Sequence, residues 1–331
     1  MINSQLEQVA LLIAAAGLDF VVGDPWSWPH PVQAMGKVID AYTGAVLKRD
    51  WSPVALRIAG VGLAVLVIGG TGVLSWLGLR LLAGVWPAIA QIAEVIVLAS
   101  CFAGRSLRRA AEDVLLPLES GDIETARQKL ALYVGRDTGQ LSATEIYRAV
   151  LETVSENAID GVLAPLFFAI VGALVSASAP VALAYKAVST LDSMVGYKES
   201  PYTDLGWFSA RFEDGLTWIP CRISVLAVAL LSGRPGRVLR ICQRDAPADP
   251  SPNAGWSECA YAAALDVQLG GDNTYRGKIK RKPLLGEPTR AVTADVVGQA
   301  LGLTRYAFLL GLVAGAFLLL AIGSSEGVNL R

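Results

Sequence analysis

The chain has 331 residues, and its 28 basic and 29 acidic side chains leave a formal net charge of −1. Hydrophobic residues make up 53% and charged residues 17%, with a mean hydropathy of +0.47, whereas about 25% charged is usual for a soluble domain. This balance excludes an ordinary water-soluble enzyme, and the near-neutral charge excludes a field that would gather nucleic acid.

In chain order, the first apolar segment covers 9–22 and contains Asp19. It has no Lys/Arg-rich leader and no small-residue cleavage site after it, so a retained segment is expected rather than a signal peptide. The polar region 24–57 follows and carries His30, the sole histidine, between Pro29 and Pro31. Segment 58–79 holds 22 residues without a formal charge, which at about 1.5 Å per residue matches the ~30 Å hydrocarbon core of a bilayer. Segment 88–103 is apolar except for Gln91 and Glu94, and a carboxylate at that depth needs a partner or a wet cavity.

The polar region 104–161 reads as helical. One helix ends at Pro117, a second is capped by Asp122, and a third opens on the capping box Ser142-Ala143-Thr144-Glu145. On this third helix Glu152, Glu156 and Asp160 recur every four residues and share a face. That spacing suits a solvated acidic face, and it also suits a divalent-ion site.

Segment 162–185 is uncharged but is interrupted by Ser176, Ser178 and Pro180. One kinked helix and two legs of a re-entrant hairpin are both open. The region 186–215 is dense in polar and aromatic groups, and segment 216–231 contains Arg222. The region 232–305 includes the turn-rich Asp249–Trp256 and the basic cluster from Lys278 to Lys282, and 306–323 is the last apolar run. No P-loop or GxGxxG fingerprint occurs. Cys101, Cys221, Cys242 and Cys259 have no zinc-ligand spacing and are expected as reduced thiols.

Lys and Arg collect in 24–57, 104–161 and 232–305, whereas the connector after the second apolar segment holds only Arg80. The positive-inside rule places those rich regions in the cytoplasm and the N-terminus outside. The expected architecture is an all-α polytopic membrane protein, one domain over 1–331, with about four to six transmembrane or re-entrant segments and helical cytoplasmic regions.

The motifs resemble those of the CobD/CbiB family of cobalamin biosynthesis. They begin with Asp19, Gly23-Asp24-Pro25 and Pro29-His30-Pro31-Val32, and continue through Glu152-Thr153-Val154-Ser155-Glu156-Asn157 and Asp160-Gly161. Tyr185-Lys186-Ala187-Val188 and Thr190-Leu191-Asp192-Ser193-Met194-Val195-Gly196-Tyr197 form the strongest block. Arg211, Asp214, Trp218, Arg222, Asn253, Trp256, Glu258, Gly270-Gly271 and Lys282-Pro283 complete the series. Ser189 and Ser257 stand where the family more commonly has Asn and Pro.

The resemblance implies a multi-pass enzyme of the inner (cell) membrane with its active site facing the cytoplasm. Its reaction would join aminopropanol, or its O-phosphate, to the f propionate of adenosylcobyric acid through ATP-dependent carboxylate activation with Mg²⁺, without a bound organic cofactor. On that reading Asp192, Lys186 and His30 are the catalytic candidates. Asp24, Glu152, Asn157, Arg211, Asp214, Asn253, Trp256 and Lys282 are candidates for binding substrate or phosphate. Glu156, Asp160 and Asp192 are candidate Mg²⁺ ligands. Expected partners are the two substrates, the lipid bilayer and other late corrin-pathway enzymes. A transporter and a non-catalytic scaffold for those enzymes are the alternatives.

Overall fold

The computed structural model describes residues 2–24 and 30–328; Pro25 and Pro29, quoted above for the resemblance, lie outside them. The helices in order are α1 (Ile2–Val21), α2 (Pro31–Val46), α3 (Pro53–Ala64), α4 (Gly70–Val85), α5 (Pro87–Ala99), α6 (Gly104–Glu119) and α7 (Ile123–Leu130). They continue with α8 (Ala143–Asn157), α9 (Ala164–Ala173), α10 (Ser178–Val195), α11 (Trp207–Leu231), α12 (Pro235–Asp245) and α13 (Ala254–Ala264). A two-stranded hairpin, β1 (Gln268–Tyr275) and β2 (Lys278–Gly286), precedes the last helix, α14 (Ala294–Val328). Wider π-helical turns at Val65–Gly69 and Ala158–Leu163 join α3 to α4 and α8 to α9.

Among the described residues five helical stretches are long and apolar enough to cross a membrane: Pro53–Val85, Pro87–Glu119, Ala143–Ala173, Trp207–Leu231 and Ala294–Ser325. Their large apolar side chains face outward, with Leu74, Leu81 and Phe317 each 70% exposed or more. Such a surface is unfavourable in water and suits lipid. The chain is therefore a largely helical, multi-pass membrane protein, as its sequence leads one to expect.

Where the sequence suggests one domain, the chain divides into two compact units. Met1–Ala103, Ala164–Leu216 and Gly311–Arg331 make the first, and Gly104–Leu163 with Thr217–Leu310 make the second. Each unit is assembled from segments far apart in sequence, so the order of segments along the chain does not reveal the division.

In the first unit, α10 packs against α2, α4, α5 and α9. Tyr185 is buried there with its ring stacked on Phe168 at 4.5 Å. The stretch 162–185 is not one span. α9 stops at Ala173, the Ala177 N–H donates to the Gly172 carbonyl at 2.8 Å, and Ser176 takes a left-handed φ of 53° before α10 starts. The small residues that interrupt the apolar run are thus the turn of a helical hairpin.

In the second unit, the local helix signals are obeyed. Asp122 Oδ1 accepts from the Thr125 N–H at 3.0 Å. Ser142 Oγ accepts from the Glu145 N–H at 3.3 Å while Glu145 Oε2 accepts from the Ser142 N–H at 2.7 Å, a reciprocal capping box. Ser142→Ala is expected to destabilise the fold by about 1 kcal/mol, read from thermal unfolding of the purified chain in detergent.

Two expectations fail in this unit. α6 runs through Pro117 to Glu119, because the proline sits in the last turn and the Ser120 and Gly121 N–H groups still close onto the Leu116 and Leu118 carbonyls. The region after α13 is also not helical. Tyr275 pairs with Lys278 across Arg276-Gly277, whose φ angles of 50° and 74° are both positive. Two consecutive positive φ values make the tight turn that matches strand twist. The register shifts at Gly270, where φ is 87° and a Cβ would collide with the Pro283 carbonyl oxygen. A glycine is required there by both conformation and space.

Candidate active site

The second unit builds a network of opposite charges around α8. Its helical spacing buries Ile146, Ala149, Val150 and Val154, and it also buries Glu152, which is 1% exposed. An isolated carboxylate would not be tolerated there. Arg136, from the segment between α7 and α8, donates from Nη2 to Glu152 Oε2 at 2.5 Å, and the Gly270 N–H donates to Oε1 at 3.0 Å. Arg136 Nη1 donates to Asn273 Oδ1 at 2.8 Å, and Arg148 Nη2 reaches the same oxygen at 3.3 Å. Arg148 also holds the carbonyls of Gly270 and Asp272. At the hairpin tip, Asp137 accepts from the Arg276 and Gly277 N–H groups at 3.0 and 2.8 Å. The hairpin is thus pinned to α8 at its bulge and to the preceding loop at its tip.

A lysine–carboxylate pair lies in the same unit. Glu258 on α13 is fully buried, and its Oε1 accepts from Lys282 Nζ on β2 at 2.8 Å. Its other oxygen has no hydrogen-bond partner among the described residues. Burial pushes the Glu258 carboxyl up to about 8, with Lys282 opposing the rise and the charges of Glu152 and Glu156 adding to it. For Lys282, burial alone would lower the ammonium. Glu258, Glu152 and Glu156 more than offset this and hold it above the usual lysine range.

Lys282 lines an open cavity of about 520 Å³ together with Glu145, Arg148, Gly271, Asp272 and Arg281. The exposed Glu156 is within Coulombic reach of Lys282, Asp249, Glu152 and Arg136. An ammonium group held charged at the wall of a cavity can bind a phosphate or carboxylate.

The Glu258 shift has a direct thermodynamic consequence. Between the unfolded value of about 4.5 and the folded value of about 8, the folded chain keeps a proton that the unfolded chain has released. The Glu258 contribution to stability therefore falls as pH rises through that window. Glu258→Gln should flatten this part of the stability–pH curve, which unfolding midpoints measured from pH 5 to 8.5 will show.

The sequence candidates are distributed over both units. Glu152, Glu156, Asn157, Asp160, Asn253, Trp256 and Lys282 belong to the second unit; Asp24, His30, Lys186, Asp192, Arg211 and Asp214 belong to the first. Glu152 is clamped by Arg136, so the acids on α8 do not form a solvated face. Among the described residues no three His, Cys, Asp or Glu side chains converge as a metal site. Asn253 and Trp256 serve Arg222: its guanidinium lies 4.4 Å from the Trp256 ring centroid and 5.0 Å from that of Trp218, with Nη1 3.5 Å from Asn253 Oδ1. Ser251 Oγ accepts from the Asn253 and Ala254 N–H groups at 3.3 and 3.1 Å, which caps the start of α13.

In the first unit, His30 caps α2. Its Nδ1 accepts from the Val32 N–H at 3.2 Å, and its Nε2 lies 3.3 Å from Asp24 Oδ1. Nδ1 is therefore engaged by the cap, and Nε2 faces the Asp24 carboxylate. Asp24 and Lys186 are both within Coulombic reach of Cys101. Asp192 folds back over Gly196, where any Cβ would collide with its carboxylate. Gly36 of α2 comes within 3.6 Å (ideal Cβ position) of Met194 Sδ, which joins the early and central motif blocks. Lys198 and Arg211 are both within Coulombic reach of Asp214. All four cysteines are buried, and none is in a disulfide.

Arg136 and Arg148 were not singled out from sequence, and Glu258 and Asn273 stood out only within the motif blocks, without a role. Their partners lie 16 to 137 residues away, beyond any local spacing rule. The Gly270-Gly271 doublet, next to Asn273, was the available signal for a special backbone.

The CobD/Cbib protein family matches residues 12–304. "Cobalamin biosynthesis protein CobD" of Synechocystis sp. is 51% identical over 316 residues, covering 95% of this chain and 92% of that protein. "Cobalamin biosynthesis protein CbiB" of Salmonella arizonae is 43% identical over 290 residues, covering 86% and 89%. "Cobalamin biosynthesis protein CobD" of Citrobacter koseri is 43% identical over 299 residues, covering 89% and 92%. No solved structure matches.

Proposed function

Because the chain belongs to the CobD/CbiB family of cobalamin biosynthesis proteins, we propose that it forms the amide between aminopropanol, or its O-phosphate, and the f propionate of adenosylcobyric acid. The observation that carries this reading is Lys282: a cation hydrogen-bonded to the buried Glu258 at the wall of an open cavity, within a segment the family match covers.

A carboxylate does not condense with an amine unaided, because its oxygen leaves poorly. In the proposed reaction the propionate oxygen attacks the terminal phosphorus of ATP and ADP departs. The amine nitrogen then attacks the acyl carbon, the C–O bond breaks and phosphate leaves with that electron pair. The amine enters as ammonium and must lose protons on the way to the amide. Lys282 binds phosphate or the substrate carboxylate, and Glu156 takes the amine's ammonium group where it does not hold Mg²⁺. Glu258 is a positioning residue that acts through Lys282, and Lys186 and Arg211 of the first unit are further anion-binding candidates.

Mg²⁺ takes one or two carboxylates plus substrate phosphates and keeps several waters, so the hard oxygen donors Glu156 and Asp160 fit it, with Asp192 as the candidate in the other unit. When bound, it would neutralise phosphate charge. His30 is assigned to orienting Asp24 and α2, since its Nδ1 is engaged in the cap.

The test uses the full chain reconstituted in lipid with adenosylcobyric acid, ATP, Mg²⁺ and each donor in turn. Mass spectrometry should show a corrin product carrying the new amide, dependent on ATP. Absence of product with both donors, in a preparation whose folding is verified, would overturn the reading. Other late corrin-pathway enzymes are proposed as neighbours at the membrane.

A further inference from the structure

The first unit contains a second polar cavity, remote in kind from any anion site with a lysine at its wall. It has a volume of about 400 Å³ and is lined by Glu7 and Gln8 at the start of α1, Trp76 and Arg80 in the later turns of α4, and Gln91 and Glu94 at the start of α5. The turn between α9 and α10 closes it with Ser176 and Pro180. All these positions lie at one end of the helices, next to the connector whose only basic residue is Arg80. By the distribution of basic residues this end faces away from the cytoplasm.

The charges lining this cavity do not cancel one another. Among the described residues no carboxylate lies within 4.0 Å of the Arg80 guanidinium, which instead stacks 5.4 Å from the Trp76 ring centroid. Glu7 accepts from Gln91 Nε2 at 2.6 Å, and Glu94 faces the Ala179 N–H in the first turn of α10. Among the described residues no cation lies within 4.0 Å of either carboxylate. Gln8 adds an independent requirement. It is 95% buried (5% exposed), its Oε1 accepts from Ser178 Oγ at 2.6 Å, and its amide NH₂ has no acceptor among the described residues. This amide belongs to a side chain that lines the cavity, so it is available to a ligand there.

A complementary ligand must therefore bring an anionic oxygen for Arg80 and Gln8, and an N–H-bearing cation for Glu7 and Glu94. We propose that this cavity binds a primary-ammonium alkyl phosphate, the headgroup of an ethanolamine phospholipid. A glycerol phosphate headgroup satisfies Arg80 but sets its negative charge against two carboxylates. A choline headgroup carries a cation without a donor hydrogen. The lipid source is favoured over a soluble aminoalkyl phosphate by the surroundings. Leu81 and Ile89, next in sequence to the lining residues Arg80 and Ala90, are 72% and 51% exposed, which offers a surface for acyl chains, and the exposed Trp76 and Trp86 are of the residue type that anchors at a membrane interface.

The experiment is native mass spectrometry of the full chain, delipidated in detergent and then offered ethanolamine, glycerol and choline phospholipids of identical acyl chains. Ethanolamine lipid should be retained at least tenfold over the other two. Arg80→Gln and Glu7→Gln, each checked for an unchanged unfolding midpoint, should each remove most of that preference. Equal retention of the three lipids, or a preference unaltered in both variants, would overturn the proposal. Displacement of the lipid by an equimolar amount of free O-phosphoethanolamine would also overturn it, by assigning the cavity to a soluble ligand. Amide formation is not part of the readout, so this result stands or falls apart from the proposed reaction.

Discussion

Lys282→Met is expected to lower kcat/KM for amide formation about 10²–10³-fold, the usual loss when one preorganised charge-stabilising donor is removed. The expectation rests on three features of the residue. It sits on a strand whose register is fixed by the Gly270 bulge and the Arg276-Gly277 turn, so its Nζ is positioned rather than mobile. Its neighbours hold it charged against burial. It also borders open space, so a ligand can reach it. Lys282→Arg keeps the charge but changes its shape and should recover part of the activity. The pH profile separates an anion-binding role from a structural one. As Glu258 ionises near pH 8 the pair passes from net positive to neutral, so KM for the anionic substrate should rise above that pH in the unsubstituted chain. Glu258→Gln should remove that rise. A Lys282→Met variant of normal stability and normal kcat/KM would take the residue out of the mechanism.

Arg136→Met is expected to cost about 3–5 kcal/mol, the range for breaking a buried ion pair by removing one partner. The Arg136 and Glu152 side chains are 8% and 2% exposed, so neither charge has water to fall back on. The loss would also release Asn273 from its shortest contact, and with it the middle of β1. Arg136→Met combined with Glu152→Gln should restore much of the stability, because the residual cost lies in the unpaired charge. The Gly270 N–H keeps an acceptor in that double variant. Thermal unfolding in detergent reads both proteins, and equal midpoints for the single variant and the unsubstituted chain would contradict the burial argument.

These two residues show what the sequence could and could not disclose. Ser142 and Asp122 were legible as caps because a cap is completed within three residues. The spans were legible because a bilayer imposes length and apolarity directly on the chain. Lys282 could be suspected from its basic cluster, but not distinguished there from its exposed neighbours Lys278 and Lys280. Only Glu258, brought from α13, makes it different. Glu152 looked like one of three equivalent acids on a helix face. Its burial is decided by Arg136 and by a backbone N–H 118 residues away, neither of which helical periodicity encodes. The hairpin escaped a helical reading of its region because its signal was confined to Arg276-Gly277 and one glycine doublet.

The four buried thiols bear on how the molecule can be studied. With no native thiol at the surface, the unsubstituted chain should be silent to a membrane-impermeant maleimide, so no cysteine-free background has to be made first. Single cysteines at exposed glycines with open space around them, Gly84→Cys and Gly139→Cys, then become sidedness reporters in intact cells. The positive-inside reading expects Gly84→Cys to label from outside and Gly139→Cys to label only after the cells are opened. The reverse pattern would turn the whole protein over in the membrane.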